Sequence, residues 1–130
     1  MINLNLPDHP LSIFNLTMPK KRPEWVIRHR SESLPTTSHV KFMSNGDVVA
    51  AANGEVLGTW EFPPTGNGVR WTVQSSSSPE VYNYFASFYD NYIGGAPKMV
   101  KGVVTKGGGW FRPVVATFNA RMDDDRIEEQ

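Results

Sequence analysis

Apolar and polar residues alternate with a period of two along much of the chain after position 24. In segment 55–62, Val56, Gly58, Trp60 and Phe62 fall on one side, and mostly polar residues fall on the other. This alternation is typical of a half-buried β-strand, because successive side chains of a strand point to opposite faces. The same period recurs in segments 38–44, 69–74 and 110–121.

Turn signals separate these segments at short intervals. Asn45-Gly46 and Asn53-Gly54 fit tight hairpins, since Asn and Gly accept the positive φ that such turns require. The 11 Gly and 10 Pro are spread along the chain, so turn signals recur at short intervals. The connections between neighbouring strands are therefore too short for parallel crossovers. The pattern predicts about eight antiparallel strands, at 24–30, 38–44, 47–52, 55–62, 69–74, 81–90, 98–105 and 110–121.

Segment 81–92 has two interpretations. Pro79 after Ser78 could begin a helix, with Val81, Phe85 and Phe88 on one face. The segment is also rich in Tyr and Phe, which favour pleated surfaces, and its even-numbered residues 82 to 88 read as one strand face. We favour the strand.

An open meander of eight strands would leave two exposed edges, which closure into a barrel removes. We therefore predict an all-β fold, an antiparallel up-and-down meander closed into a small barrel or half-barrel. It comprises an N-terminal arm (1–23), a β-barrel domain (24–121) and an acidic C-terminal tail (122–130). The residues predicted to be most buried are Trp60, Phe62, Trp71, Val114 and Phe118.

The stretch Gly58-Thr59-Trp60 resembles a motif of the calycin barrels, the group of lipocalins, fatty-acid-binding proteins and avidin-like proteins. In those families a Gly-x-Trp lies near the start of the first barrel strand, and its Trp closes one end. Here Gly58 and Trp60 match, but they fall in about the fourth strand. The later Thr-Asp-Tyr stretch and the disulfide of lipocalins have no counterpart. The resemblance implies a barrel architecture over residues 25–121 and transfers no functional residue.

Composition restricts the classes of function. The 130 residues hold 13 Lys and Arg against 13 Asp and Glu, so the formal net charge is zero. A nucleic-acid binder would need excess positive charge to neutralise phosphates, and none is expected as a partner. The absence of Cys excludes disulfides and thiol chemistry. No apolar run approaches the roughly 20 residues that a membrane-spanning helix needs, so at most a peripheral membrane contact is expected.

No set of residues has the spacing of a catalytic or metal site. His9, His29 and His39 are not paired at ligand distances along the sequence, and the run 123–125 of three Asp lacks the spacing of a calcium loop. The run 106–109 is followed by neither a helix nor a Ser or Thr after Gly-Lys, as a phosphate-binding loop requires. We expect a protein that is not an enzyme and carries no cofactor or metal.

One functional hypothesis is a barrel that holds a small apolar ligand, such as a lipid or a tetrapyrrole. The chain has more aromatic residues than are needed to fill an eight-stranded interior, so some are free to line a cavity. The candidates for such a cavity are Trp60, Trp71, Tyr84 and Trp110.

The favoured hypothesis is a non-catalytic accessory subunit that docks on a larger protein assembly. The arm carries scattered large apolar residues, and a basic segment with a Trp follows it. Such a segment could set the docking orientation by charge complementarity or meet anionic lipid headgroups, or it could be ordinary solvated surface. The residues predicted to contact the partner are Leu11, Phe14, Lys20, Lys21, Arg22, Trp25, Arg28 and Arg30.

Small non-catalytic barrels of this kind would suit an energy-converting membrane complex of an organelle. Residues 1–19 lack Lys and Arg, so we expect no secretory signal or arginine-rich presequence in the numbered chain. A mitochondrial or plastid location is expected from the proposed kind of complex alone.

Overall fold

The computed structural model describes residues 22–64, 66–74, 79–89 and 97–123. They form eight antiparallel strands that follow each other around a closed barrel, with the last strand paired to the first. The strands are β1 Glu24–Arg30, β2 Thr37–Phe42, β3 Asp47–Ala50, β4 Val56–Glu61, β5 Gly68–Gln74, β6 Val81–Tyr89, β7 Lys98–Lys106 and β8 Val114–Asp123. The predicted meander and its closure are confirmed.

The segment with two interpretations is a strand over its described residues, Val81–Tyr89, and residues 90–92 lie outside the described part of the chain. Tyr84, Ala86 and Phe88 of β6 face the interior and are buried, with Tyr82 packed against them, as the even-numbered face predicted. At the end of the barrel, β8 continues to Asp123, because Met122 pairs with Trp25 and is buried.

Two β-bulges alter the predicted facing of side chains. The register of β3 and β4 shifts after Val48, so Leu57 packs against the core and Val56 is exposed. A second shift after Val104 leaves Val114 62% exposed, contrary to the prediction that it is buried. A bulge adds one residue to one strand. The side chains before the bulge therefore point to the faces opposite to those that strict alternation predicts. Trp71 and Phe118 are buried as predicted, whereas Trp60 and Phe62 are only half-buried.

Two glycines allow strands to approach closely. A Cβ at Gly58 would lie 1.8 Å from the carbonyl oxygen of Thr72. A Cβ at Gly102 would lie 2.5 Å from the carbonyl oxygen of Phe118 and 2.6 Å from ring carbons of the same residue. Both positions therefore require glycine for barrel closure.

Candidate functional site

The barrel interior is filled by aromatic side chains in mutual contact. Trp71 and Tyr84 stack with ring centroids 4.9 Å apart, and Phe118 packs edge-on against both. Phe42 contacts Trp71 from the other side at 4.9 Å, also edge-on. Such pairs add packing energy beyond their buried area. Among the described residues, these rings form a packed aromatic core.

His29 is the buried polar residue within this core. Its Nδ1 lies 2.9 Å from the carbonyl oxygen of Pro35, and its Nε2 lies 2.8 Å from the hydroxyl of Tyr84. A carbonyl only accepts, so Nδ1–H donates to Pro35 and the Tyr84 hydroxyl donates to Nε2 of the neutral ring. Burial lowers the pKa of His29 and raises that of Tyr84 to about 12, which favours both neutral forms. The pair fastens the β1–β2 loop to β6.

Three of the four residues predicted to line a ligand cavity lie on adjacent strands, because Trp60 is the cross-strand partner of Trp71 and Trp71 stacks on Tyr84. Trp71 and Tyr84 are stacked in the core, and Trp60 is half-buried beside Phe42, where its indole nitrogen donates to the carbonyl of Met43. The prediction for Trp110 is wrong: it lies in the β7–β8 loop and is 96% exposed.

The residues predicted to contact a partner divide into three groups. Trp25 is 1% exposed and packs inside the barrel against Phe42 and Phe88, so its assignment as a surface anchor is wrong. Arg28 and Arg30 point outward from β1 and are exposed. Arg22 is half-buried, and its Nε donates to the carbonyl of Phe42 at 2.9 Å. The remaining candidates, Leu11, Phe14, Lys20 and Lys21, lie outside the described residues.

Closure of the barrel extends the outward arginines of β1 into a larger basic surface. Strand β8 lies beside β1, and β7 lies beside β8. We call the resulting surface the basic face, and it consists of five exposed side chains: Arg28, Arg30, Lys98, Lys101 and Arg121. None of the five has an ion-pair partner among the described residues.

The basic face contains unfavourable local arrangements. Lys98 and Arg121 are direct cross-strand partners, and like charges in that position destabilise a sheet. Lys101 has a φ of 58° inside the irregular stretch of β7 between Met99 and Gly102. A positive φ is uncommon for a residue with a Cβ. Such departures from local rules are expected at functional or strained sites.

A different arrangement covers the outer face of the strands that follow around the barrel, from β4 to β7. The outer face of β4 to β7 forms a groove of about 650 Å³, in which Thr59 and Thr72 are cross-strand partners. Glu61 and Arg70 also lie there, and they pair with each other at 2.6 Å. The charges of this pair cancel, in contrast to the basic face.

The β7–β8 loop presents two aromatic side chains to solvent, and we call Trp110 and Phe111 the aromatic tip. Trp110 is 96% and Phe111 70% exposed, and their rings contact each other edge-on at 6.2 Å. The tip was missed because the strand pattern was extended through it. The interruption of the alternation by Pro113 could have placed the start of β8 later.

Comparisons with family models, curated proteins and solved structures found no match. Among the residues that the structure describes, there is no helix long and apolar enough to cross a membrane. Within the same residues, His, Asp and Glu side chains do not gather in a group of three or more that could hold a metal ion. The likeness to calycins rests on the eight-stranded antiparallel barrel.

Proposed function

We propose that this protein is a non-catalytic accessory subunit that docks through its basic face onto an acidic surface of a larger protein assembly. The observation that carries the proposal is the concentration of five exposed cations on three adjacent strands of a chain whose net charge is zero. An acidic partner surface would offset the repulsion between Lys98 and Arg121 that the free barrel bears.

The distribution of carboxylates supports this orientation. Near the basic face, Glu24 is engaged by His39 at 2.6 Å, and on other sides Glu61 and Glu80 pair with Arg70 and Lys106. These three carboxylates contact His39, Arg70 and Lys106 rather than the cations of the basic face.

The filled interior weighs against the alternative of a carrier for lipids or tetrapyrroles. A small barrel has room either for side chains or for one small ligand. Here Val48, Val69, Ala86, Met99 and Val104 have no exposed surface, and they belong to the same core cluster as the stacked aromatic rings. Membership of the calycin group is part of the same proposal, with the barrel used as a docking module. Residence in an organellar membrane complex stays a prediction.

Co-purification of the full chain tests the docking proposal. The test variant replaces Lys98, Lys101 and Arg121 together by Gln, which removes the charge but keeps an unbranched polar side chain. The control replaces Arg70 by Gln, because Arg70 is also exposed but lies on β5, away from the basic face, and is paired with Glu61. We expect a defined set of partners with the wild type and the control, and its loss with the triple variant.

Salt provides an independent measurement. Raising salt from about 50 mM to about 300 mM should release the partner, since exposed charges are screened within about 10 Å or less. Identical partners for the triple variant and the wild type would contradict docking by the basic face. A 14.6 kDa monomer without partners would reject the accessory-subunit proposal, and quenching of Trp fluorescence by fatty acids or tetrapyrroles would then favour the carrier.

A further inference from the structure

The aromatic tip is a second surface feature, separate in character from the basic face. Trp110 and Phe111 project from the loop between β7 and β8 and contact each other, and Val114, the first residue of β8, is 62% exposed. A contiguous apolar surface of this kind is uncommon on a soluble domain and usually marks a contact site. The tip faces away from the core, so barrel stability does not account for its composition.

Hydrogen bonds hold the loop that carries the tip. The backbone nitrogen of Lys106 donates to the carbonyl of Pro113, and the amide of Asn83 donates to the carbonyl of Gly107 at 2.8 Å. From the other side of the tip, Nε of Arg112 donates to the carbonyl of Gly109 at 2.7 Å. The loop is therefore preorganised, which lowers the entropy cost of inserting its aromatic residues into another phase.

The surroundings of the tip favour a lipid surface over a protein pocket. A specific protein interface buries about 800 Å² on each partner and needs a ring of complementary side chains around its centre. The residues before the tip are Gly107, Gly108 and Gly109, which offer no side chains for such a ring. A bilayer interface requires no shape complementarity, and Trp is enriched at that depth.

The charges near the tip match the depth of lipid headgroups. Arg112 follows Phe111 directly, is exposed and carries a charge that attracts phosphates, while Lys106 at the base of the loop is paired with Glu80 at 3.0 Å. The local charge is therefore small, and insertion depends mainly on the two aromatic rings. We propose that Trp110 and Phe111 anchor the barrel in the headgroup region of a lipid bilayer.

Vesicle partitioning of the full chain tests this anchor. The probes are vesicles of phosphatidylcholine and vesicles in which about one third of the lipid is phosphatidylserine. Binding is measured by co-sedimentation and by the emission of Trp110, the one fully exposed residue among the four Trp, whose spectrum should shift to shorter wavelength. We expect binding to both compositions, with the anionic lipid strengthening it.

Variants separate insertion from charge. Trp110→Ala and Phe111→Ala should each weaken partitioning into phosphatidylcholine by roughly tenfold or more. Trp110→Phe should keep the partitioning but abolish the spectral shift. The control is Tyr89→Ser, because Tyr89 is an exposed aromatic at the opposite end of the barrel. It should change partitioning by less than about twofold.

Three outcomes would overturn the anchor. These are no binding of the wild type to either vesicle, equal binding of Trp110→Ala and wild type, and binding that only charge removal on the basic face abolishes. If the wild type does not bind vesicles and Trp110→Ala loses the protein partners, the tip inserts into a protein pocket instead. The docking proposal is tested separately by the triple charge variant, which retains the tip.

Discussion

Replacing Tyr84 by Phe tests how the polar pair in the barrel interior is held. The substitution removes one hydroxyl, keeps the ring stacked on Trp71, and leaves Nε2 of His29 as a buried acceptor without its donor at 2.8 Å. An unsatisfied buried polar group costs about 1–3 kcal/mol. For a domain stabilised by about 5–15 kcal/mol, this loss in the free energy of unfolding is easily measured.

Urea unfolding followed by circular dichroism is the assay. The midpoint should fall for Tyr84→Phe while the dependence on urea concentration stays the same, since the area exposed on unfolding does not change. Tyr82→Phe is the matched control on the same strand, because the hydroxyl of Tyr82 donates to Glu80 at the surface. Its effect should remain within about 0.5 kcal/mol.

Equal losses in the two variants would refute the reasoning. They would mean that the Tyr84 hydroxyl is not the donor that satisfies His29, or that the interior accommodates the unpaired nitrogen without cost. A change in the urea dependence would also contradict the expectation, because it would indicate altered compactness rather than one lost hydrogen bond.

Two further predictions concern the same barrel. Burial lowers the pKa of His29 in the folded state, so the unfolded chain binds a proton more readily than the folded one. The contribution of neutral His29 to the free energy of unfolding should therefore be fully present above about pH 6.5 and decrease as the pH falls below that value. Unfolding curves across that range should show a weaker decrease for His29→Gln, and equal slopes would contradict the assignment. Gly102→Ala should cost about 1–3 kcal/mol by crowding Phe118, whereas Gly108→Ala, with open space at its Cβ, should change the melting temperature little.

Local chain chemistry accounts for the parts of the fold that the sequence predicted. Alternation and turn residues locate strands directly, because both act over two to five neighbouring residues. All eight predicted strands are present. The facing of Val56 and Val114 was not predictable in this way, since each follows from a bulge that depends on how two strands pair. Trp25 was assigned to the surface from its basic neighbours in sequence, although alternation in β1 places it opposite to them.

The candidate site was only partly visible for a related reason. Arg28 and Arg30 are two residues apart in sequence, so their common outward face follows from strand geometry alone. Lys98, Lys101 and Arg121 join them only because β8 pairs with β1 when the barrel closes. A charge run along a sequence cannot reveal a patch assembled from strands about 70 and 90 residues apart.

Barrel closure also changes what the net charge of zero means for function. Charge summed along the chain argues against strong attraction to any polyanion, but a partner at close range meets the local field of one face. The exposed tip lies on the hairpin formed by β7 and β8, and the same two strands carry Lys98, Lys101 and Arg121. One hairpin thus carries three cations of the basic face and, at its loop, the aromatic tip. A subunit bound to its assembly by the first would be held in a fixed orientation for contact by the second, so losing either surface should weaken attachment at a membrane without unfolding the barrel.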